Sequence, residues 1–223
     1  MKTYLFLLLL LPATILSQNT IHKDYGNFDE IKVLNGISVK LIKGEEGKIT
    51  ITGEEADNVV VINRNGKLRI RMQTKKIFNG DKTQVTVQFD KIEVIDANEN
   101  SYIISNDELN TNTLIIRTQE GAEVKAPINV DRLEVKAVSG GIVDVRGRAD
   151  VQDVVINSGG QYDAKELKSK QTTVVVNAGG NAKIYATDFA SAKVRAGGRI
   201  EIYGKPKQVD KDTFIGGNIL LMN

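Results

Sequence analysis

Apolar and polar residues alternate along most of the chain. Lys48-Ile-Thr-Ile-Thr52, Lys67-Leu-Arg-Ile-Arg71 and Gln84-Val-Thr-Val-Gln88 are period-2 runs, the pattern of strands with one buried face. Nowhere does an apolar 3.6-residue period persist for a dozen residues. The best helical stretch, Ala164 to Lys170, is short and polar and reads as loop. After Ser17 there are 23 Ile and 22 Val against 9 Leu. β-branched side chains suit a pleated surface and lose rotamer freedom in helices, so the chain is expected to be all-β.

The pattern also repeats. A glycine pair or close variant recurs at Gly121-Ala122, Gly140-Gly141, Gly159-Gly160, Gly179-Gly180, Gly197-Gly198 and Gly216-Gly217, with second members 19, 19, 20, 18 and 19 residues apart. A weaker copy ends at Ser101. Apolar positions keep one phase around each pair: Val135, Ala137, Val143 and Val145 in one copy, Val154, Ile156, Tyr162 and Ala164 in the next. Each copy reads as two short strands with inward side chains, hinged at glycines that tolerate positive φ and close approach. A repeat of about 19 residues matches one coil of a parallel β-helix. Seven coils at the strand spacing would give a rod of roughly 34 Å.

Residues 18–95 are strand-rich but less regular, and are expected to form either irregular first coils or a cap over the open end of the helix. Within them, Arg64-Asn-Gly-Lys67 lies between Val59-Val-Val-Ile62 and Leu68-Arg-Ile-Arg-Met72, a strong hairpin signal. Lys43-Gly-Glu-Glu-Gly47 reads as a second hairpin, joining Val39-Lys-Leu-Ile42 to Ile49-Thr-Ile51. Residues 96–223 are the repetitive coils, continuous with the zone before them. Residues 1–17 combine one Lys, a short apolar run from Tyr4 to Leu16 and a small residue at Ser17. That arrangement is a secretory signal, too short to span a bilayer comfortably. No later stretch is long and apolar enough for a membrane helix, so an exported chain without an integral membrane segment is expected, in the periplasm, at the surface or secreted.

Composition narrows the chemistry. Thirty Lys+Arg against 28 Asp+Glu is near balance, which argues against a nucleic-acid partner. Cysteine is absent and His22 is the only histidine. Disulfides, thiolate ligands, cysteine nucleophiles and a lipoprotein anchor are therefore ruled out, and Ser-His or His-zinc chemistry has almost nothing to build on. His22 itself reads as leader, ahead of the first strand. No cofactor, metal site or catalytic residue is assigned.

What remains lies on the outward side of the coils. Asp144 and Asp163 fall at the same outward place on successive coils, with Arg146 and Lys165 beside them. Such a set would hold an acidic sugar and abstract a proton; it is also what a solvated ladder of alternating charges looks like. Tyr185 and Tyr203 share another outward place on consecutive coils, where an aromatic pair would stack on a sugar or anchor a protein. Asn157 and Asn177 share a turn position and are expected to stack as an amide ladder.

Phe28-Asp-Glu-Ile-Lys-Val33, Gly36-Ile37-Ser38, the Val39-Lys-Leu strand and the downstream glycine-pair coils resemble the exported "putative autotransporter adhesin, head GIN domain" family, over roughly residues 25–220. Ser38 stands where the Gly-Ile-Asn of the family name has Asn. The resemblance implies a right-handed parallel β-helix and an adhesion role, and transfers no catalytic residue. The sequence thus points to a non-enzymatic, adhesin-like module that binds a protein or glycan at the cell envelope or surface. A self-associating envelope protein, a homo-oligomer, is the alternative. A polysaccharide lyase or hydrolase using Asp144 and Asp163 comes third.

Overall fold

The computed structural model describes residues 20–222; the signal expected at 1–17 lies outside them. The described chain has twenty strands and three 3-10 turns, with no α-helix among the described residues. The first strands are β1 (Ile21–Asp24), β2 (Glu30–Val33), β3 (Ser38–Lys43), β4 (Lys48–Gly53), β5 (Val59–Arg64), β6 (Lys67–Met72) and β7 (Thr83–Phe89). β8 (Val94–Ala97), β9 (Tyr102–Ser105) and β10 (Leu109–Thr118) lead into β11 (Glu123–Ala137) and β12 (Ile142–Ile156). β13 (Gln161–Asp163), β14 (Leu167–Lys168), β15 (Gln171–Val176), β16 (Asn181–Tyr185) and β17 (Phe189–Ala196) follow. β18 (Arg199–Tyr203), β19 (Gln208–Ile215) and β20 (Asn218–Leu221) are the last.

These strands wind into a β-solenoid of about seven turns, spaced by about 19 residues. Parallel register sets each coil on the equivalent place of the one before. Ile116 opposes Val135, which opposes Val154, which opposes Val174. On the other side of the turn Val124, Val143, Tyr162, Ala182 and Ile200 form a second column. All of these residues are buried, each large aliphatic contributing roughly 1.5–3 kcal/mol against exposure. The phase of the glycine repeat therefore sets which side chains make the core. Polar groups are buried among them, Gln152, Thr118 and Thr172 included: the Tyr162 hydroxyl donates to Gln152 Oε1 at 2.7 Å, and burial raises this phenol well above its ordinary range.

The later coils are short strands hinged at the glycine pairs, as at β15–β16 and β17–β18, but two coils differ. β11 and β12 each run unbroken for 15 residues from one turn to the next. β12 bends within its length at Gly147, whose φ is +111° and whose Cβ would sit 2.3 Å from the Ile128 carbonyl oxygen. A third short face, pairing Leu109 with Ile128 and Ile128 with Gly147, is made by these bends.

The N-terminal strands stack out of sequence order. β2 and β3 form a coil around the Asn35–Gly36 turn, with β8 and β9 parallel on one side and β6 and β7 parallel on the other. The chain thus climbs past its first coil to the outermost one, then returns. β5 closes antiparallel on β6 across Asn65 and Gly66, at φ 53° and 79°, the hairpin expected there. The hairpin expected around Lys43–Gly47 does not form. β7 lies between β3 and β4, parallel to the first and antiparallel to the second. Both ends of the intervening loop bond to β7: the Gly44 N–H to Phe89 O at 3.0 Å and the Gly47 N–H to Gln88 O at 3.3 Å. β1 then pairs antiparallel with β4. His22 belongs to β1, contrary to its reading as leader, and its Nδ1 lies 3.0 Å from Thr50 Oγ1.

Candidate functional site

The strands that follow each turn present a flat outward face. Lys125, Asp144, Asp163, Lys183 and Glu201 form one outward column, and Glu123, Ile142, Gln161, Asn181 and Arg199 the next. Asp144 and Asp163 are therefore neighbours on successive coils, at a strand spacing of about 4.8 Å. With Arg146, Lys165 and Glu166 they line a hollow of about 200 Å³. Arg146 opposes Pro127 in register, and Lys165 sits in the segment between β13 and β14.

Most charges on this face are committed to one another. Lys183 Nζ donates to Asp163 Oδ2 at 3.0 Å, and the Lys165 backbone N–H reaches Asp163 Oδ1 at 3.4 Å. Lys125 pairs with Glu123 at 2.6 Å, its ammonium 5.8 Å from the Tyr102 ring centroid. The bonds to Asp163 and to Glu123 raise the pKa of Lys183 and of Lys125 respectively. Asp163 and Lys183 thus act as links in a ladder of mixed charge, the arrangement that keeps an exposed sheet solvated.

Tyr185 and Tyr203 oppose each other on β16 and β18, and both rings are held. The Tyr203 hydroxyl donates to Glu201 Oε2 at 2.9 Å, and Arg199 Nε donates to Glu201 Oε1 at 2.7 Å. These bonds, Tyr203's first, lower the Glu201 pKa, and the same bond raises that of Tyr203. Tyr185 lies against Gly204, where a Cβ would meet ring atoms Cε1 at 2.7 Å and Cδ1 at 2.9 Å. The glycine lets the ring lie down on the next coil.

On the other outward face a groove of about 520 Å³ includes Arg117, Lys136 and Asn157. Asn177 Nδ2 donates to Asn157 Oδ1 at 2.6 Å, the amide ladder expected there. Sequence reasoning missed a third hollow, of about 550 Å³, where Ile77 and Phe78 overhang the Asn35–Gly36 and Glu99–Asn100 turns. Phe78 is 89% exposed. Its only sequence signal was an aromatic residue stranded among lysines and turn formers, outside any period-2 run.

The sequence profile of the family described as "Putative auto-transporter adhesin, head GIN domain" matches residues 27–206. No curated protein matches the chain. Among solved structures, a protein from Bacteroides fragilis described as a "putative adhesin" superposes with a TM-score of 0.85 at 19% identity, over 92% of this chain and 97% of its own. A "putative adhesin" from Parabacteroides distasonis gives 0.75 at 19%, over 92% and 97%. A "putative lipid binding protein" from the same species gives 0.72 at 18%, over 92% and 97%. At these identities the likeness establishes the fold. No helix of the described residues is long and apolar enough to cross a membrane.

Proposed function

The chain belongs to the family described as "Putative auto-transporter adhesin, head GIN domain", and from that premise we propose that it is an exported, non-enzymatic binding module of the cell envelope or surface. The outward face of β12, β13, β16 and β18 is its contact surface. The carrying observation is the aromatic pair: Tyr185 and Tyr203 stand side by side on consecutive coils, one ring laid on Gly204 and the other fixed through Glu201. Rigid aromatic side chains give large contact area at little entropic cost. Asp144, Asp163, Arg146 and Lys165 border this surface as its polar rim. Asp163, occupied by Lys183, serves there as a structural acid rather than a base.

Retention of the purified chain on envelope fractions tests the reading. Tyr185→Ala combined with Tyr203→Ala is expected to weaken retention by about tenfold or more, with the β-sheet circular dichroism of the folded chain retained. Unchanged retention would remove this face from the reading. Protease shaving of intact cells, controlled by a periplasmic marker, decides the location: loss of the protein while the marker survives is expected of a surface module.

A further inference from the structure

We infer that the partner is a neutral glycan, laid across the coils from the amides of Gln161 and Asn181 to the Tyr185–Tyr203 pair. The inference rests on the binding-module reading above and names its ligand class.

Charge argues first. On this face the ion pairs Lys125–Glu123, Lys183–Asp163 and Arg199–Glu201 spend cations on neighbouring acids. Nucleic acid or an acidic polysaccharide is drawn by surplus positive charge. The opposite face offers one such place, because Arg117 and Lys136 stand next to each other in register there, in a groove they share with Glu134 and Asp153. Like charges in adjacent register repel, and an anion would relieve them. On the tyrosine face Arg146 and Lys165 share their hollow with Asp144, Asp163 and Glu166, which leaves no positive surplus there.

The side chains left for a ligand argue second. A sugar has apolar C–H faces and hydroxyl edges, so its complement is an aromatic plane flanked by groups that both donate and accept. Gln161 and Asn181 oppose each other on β13 and β16, both exposed. Each amide offers two N–H donors and a carbonyl acceptor. Four residues along β16 from Asn181 comes Tyr185, a lateral distance of roughly 13 Å. One coil further is Tyr203. The whole path suits an oligosaccharide of a few units. Because Glu201 and Gly204 already hold the two rings, binding orders little that is not ordered beforehand.

Calorimetric titration of the purified chain with cello-, manno- and chito-oligosaccharides, and with polygalacturonate as the acidic control, tests this. Saturable binding to at least one neutral series is expected, changing little between about 50 and 500 mM salt. Tyr185→Ala with Tyr203→Ala should weaken it by about tenfold or more, and Asn181→Ala by several-fold. Tyr185→Phe, which keeps the ring, should bind almost as wild type, and Arg117→Ser with Lys136→Ser should leave binding unchanged. Binding confined to polygalacturonate, steeply salt-dependent or lost with the Arg117 and Lys136 changes, would overturn the proposal. So would neutral-glycan binding indifferent to the tyrosines. Tyrosine-dependent retention on envelope fractions without binding to any neutral glycan would overturn the glycan while leaving the module reading, and would point to a protein partner. Loss of both dependences would overturn both.

Discussion

Gly159 and Gly160 are adjacent in one turn and are glycines for different reasons. Gly159 has φ +77° and open space where a Cβ would stand; at Gly160 a Cβ would lie 2.4 Å from the Ala137 carbonyl oxygen of the coil beside it. The first needs the left-handed region, the second needs room. Gly159→Asn is accordingly expected to leave thermal stability close to wild type, because Asn tolerates that region. Gly160→Ala forces β11 and its turn apart and should cost about 1–3 kcal/mol. Melts of the two variants side by side check the assignment, which equal losses would refute. The repeat of glycine pairs made the turn positions readable. It did not mark that Glu120, Ser139 and Ser158, just before the pairs, also take positive φ, at 55°, 49° and 48°. From Gly179 onward the two left-handed residues are the pair itself, as at Gly197–Gly198. A non-glycine residue in that region leaves no trace in a single sequence. The register of Asp144 with Asp163 and of Tyr185 with Tyr203 follows from repeat phase alone. The Arg199–Glu201–Tyr203 bonds depend on rotamers that phase does not fix.

At the scale of elements, what was readable is what is local. Asn65-Gly66 announces the β5–β6 hairpin because a two-residue turn with two positive φ angles nearly demands that pair. β3 and β4 were misjoined because their partner, β7, comes some 40 residues after β3, and neither flanking loop encodes it. The link between β6 and β7 had no pattern to read, yet the Glu55 carboxylate ties two of its residues, beside the Gln73 N–H bond to Asn58 O and the Lys82–Glu54 ion pair. Glu55 accepts from Asn79 Nδ2 at 2.9 Å, Lys76 Nζ at 3.1 Å and Asn58 Nδ2 at 2.5 Å. These bonds, Asn79's first, hold its pKa below the ordinary value. A carboxyl depressed by folding contributes stability above its unfolded pKa, and that contribution is lost as pH falls through the folded one. Glu55→Ala should therefore speed amide hydrogen exchange across residues 73–82 at neutral pH while β11 and β12 keep their protection. The wild-type segment should loosen only in acid, below the ordinary carboxylate range. Unchanged exchange in the variant would show that the segment is held by something other than Glu55.

For the whole molecule, the two ends of the solenoid are finished differently, and this bears on whether it self-associates. At one end antiparallel β5 covers β6, and β4 with β1 covers β7. At the other, the last described coil leaves the outer edges of β19 and β20 bare, with Phe214, Ile215 and Leu221 at 77%, 63% and 54% exposure. Bare edges with apolar neighbours invite pairing. The inward column argues the other way: the buried Ala190, Ala192 and Val194 are succeeded in register by Val209, Lys211 and Thr213. Suppose β19 met a second copy of itself antiparallel, with inward faces kept together. Residues of like parity would then oppose, so Lys211 would meet Lys211, Val209 or Thr213 of the copy, and Asp210 and Asp212 would meet each other or themselves. A charge turned toward the would-be core is one of the devices that stop sheet extension. The chain is therefore expected to sediment as a monomer, despite the open coil that made a self-associating envelope protein a reasonable alternative. Lys211→Val with Thr213→Val restores the apolar column and should produce association that grows with protein concentration in sedimentation velocity. A double variant that stays monomeric would show that pairing is blocked elsewhere. Association of the wild-type chain at the same concentrations would mean that Lys211 is no stop, and would return self-assembly to the leading place.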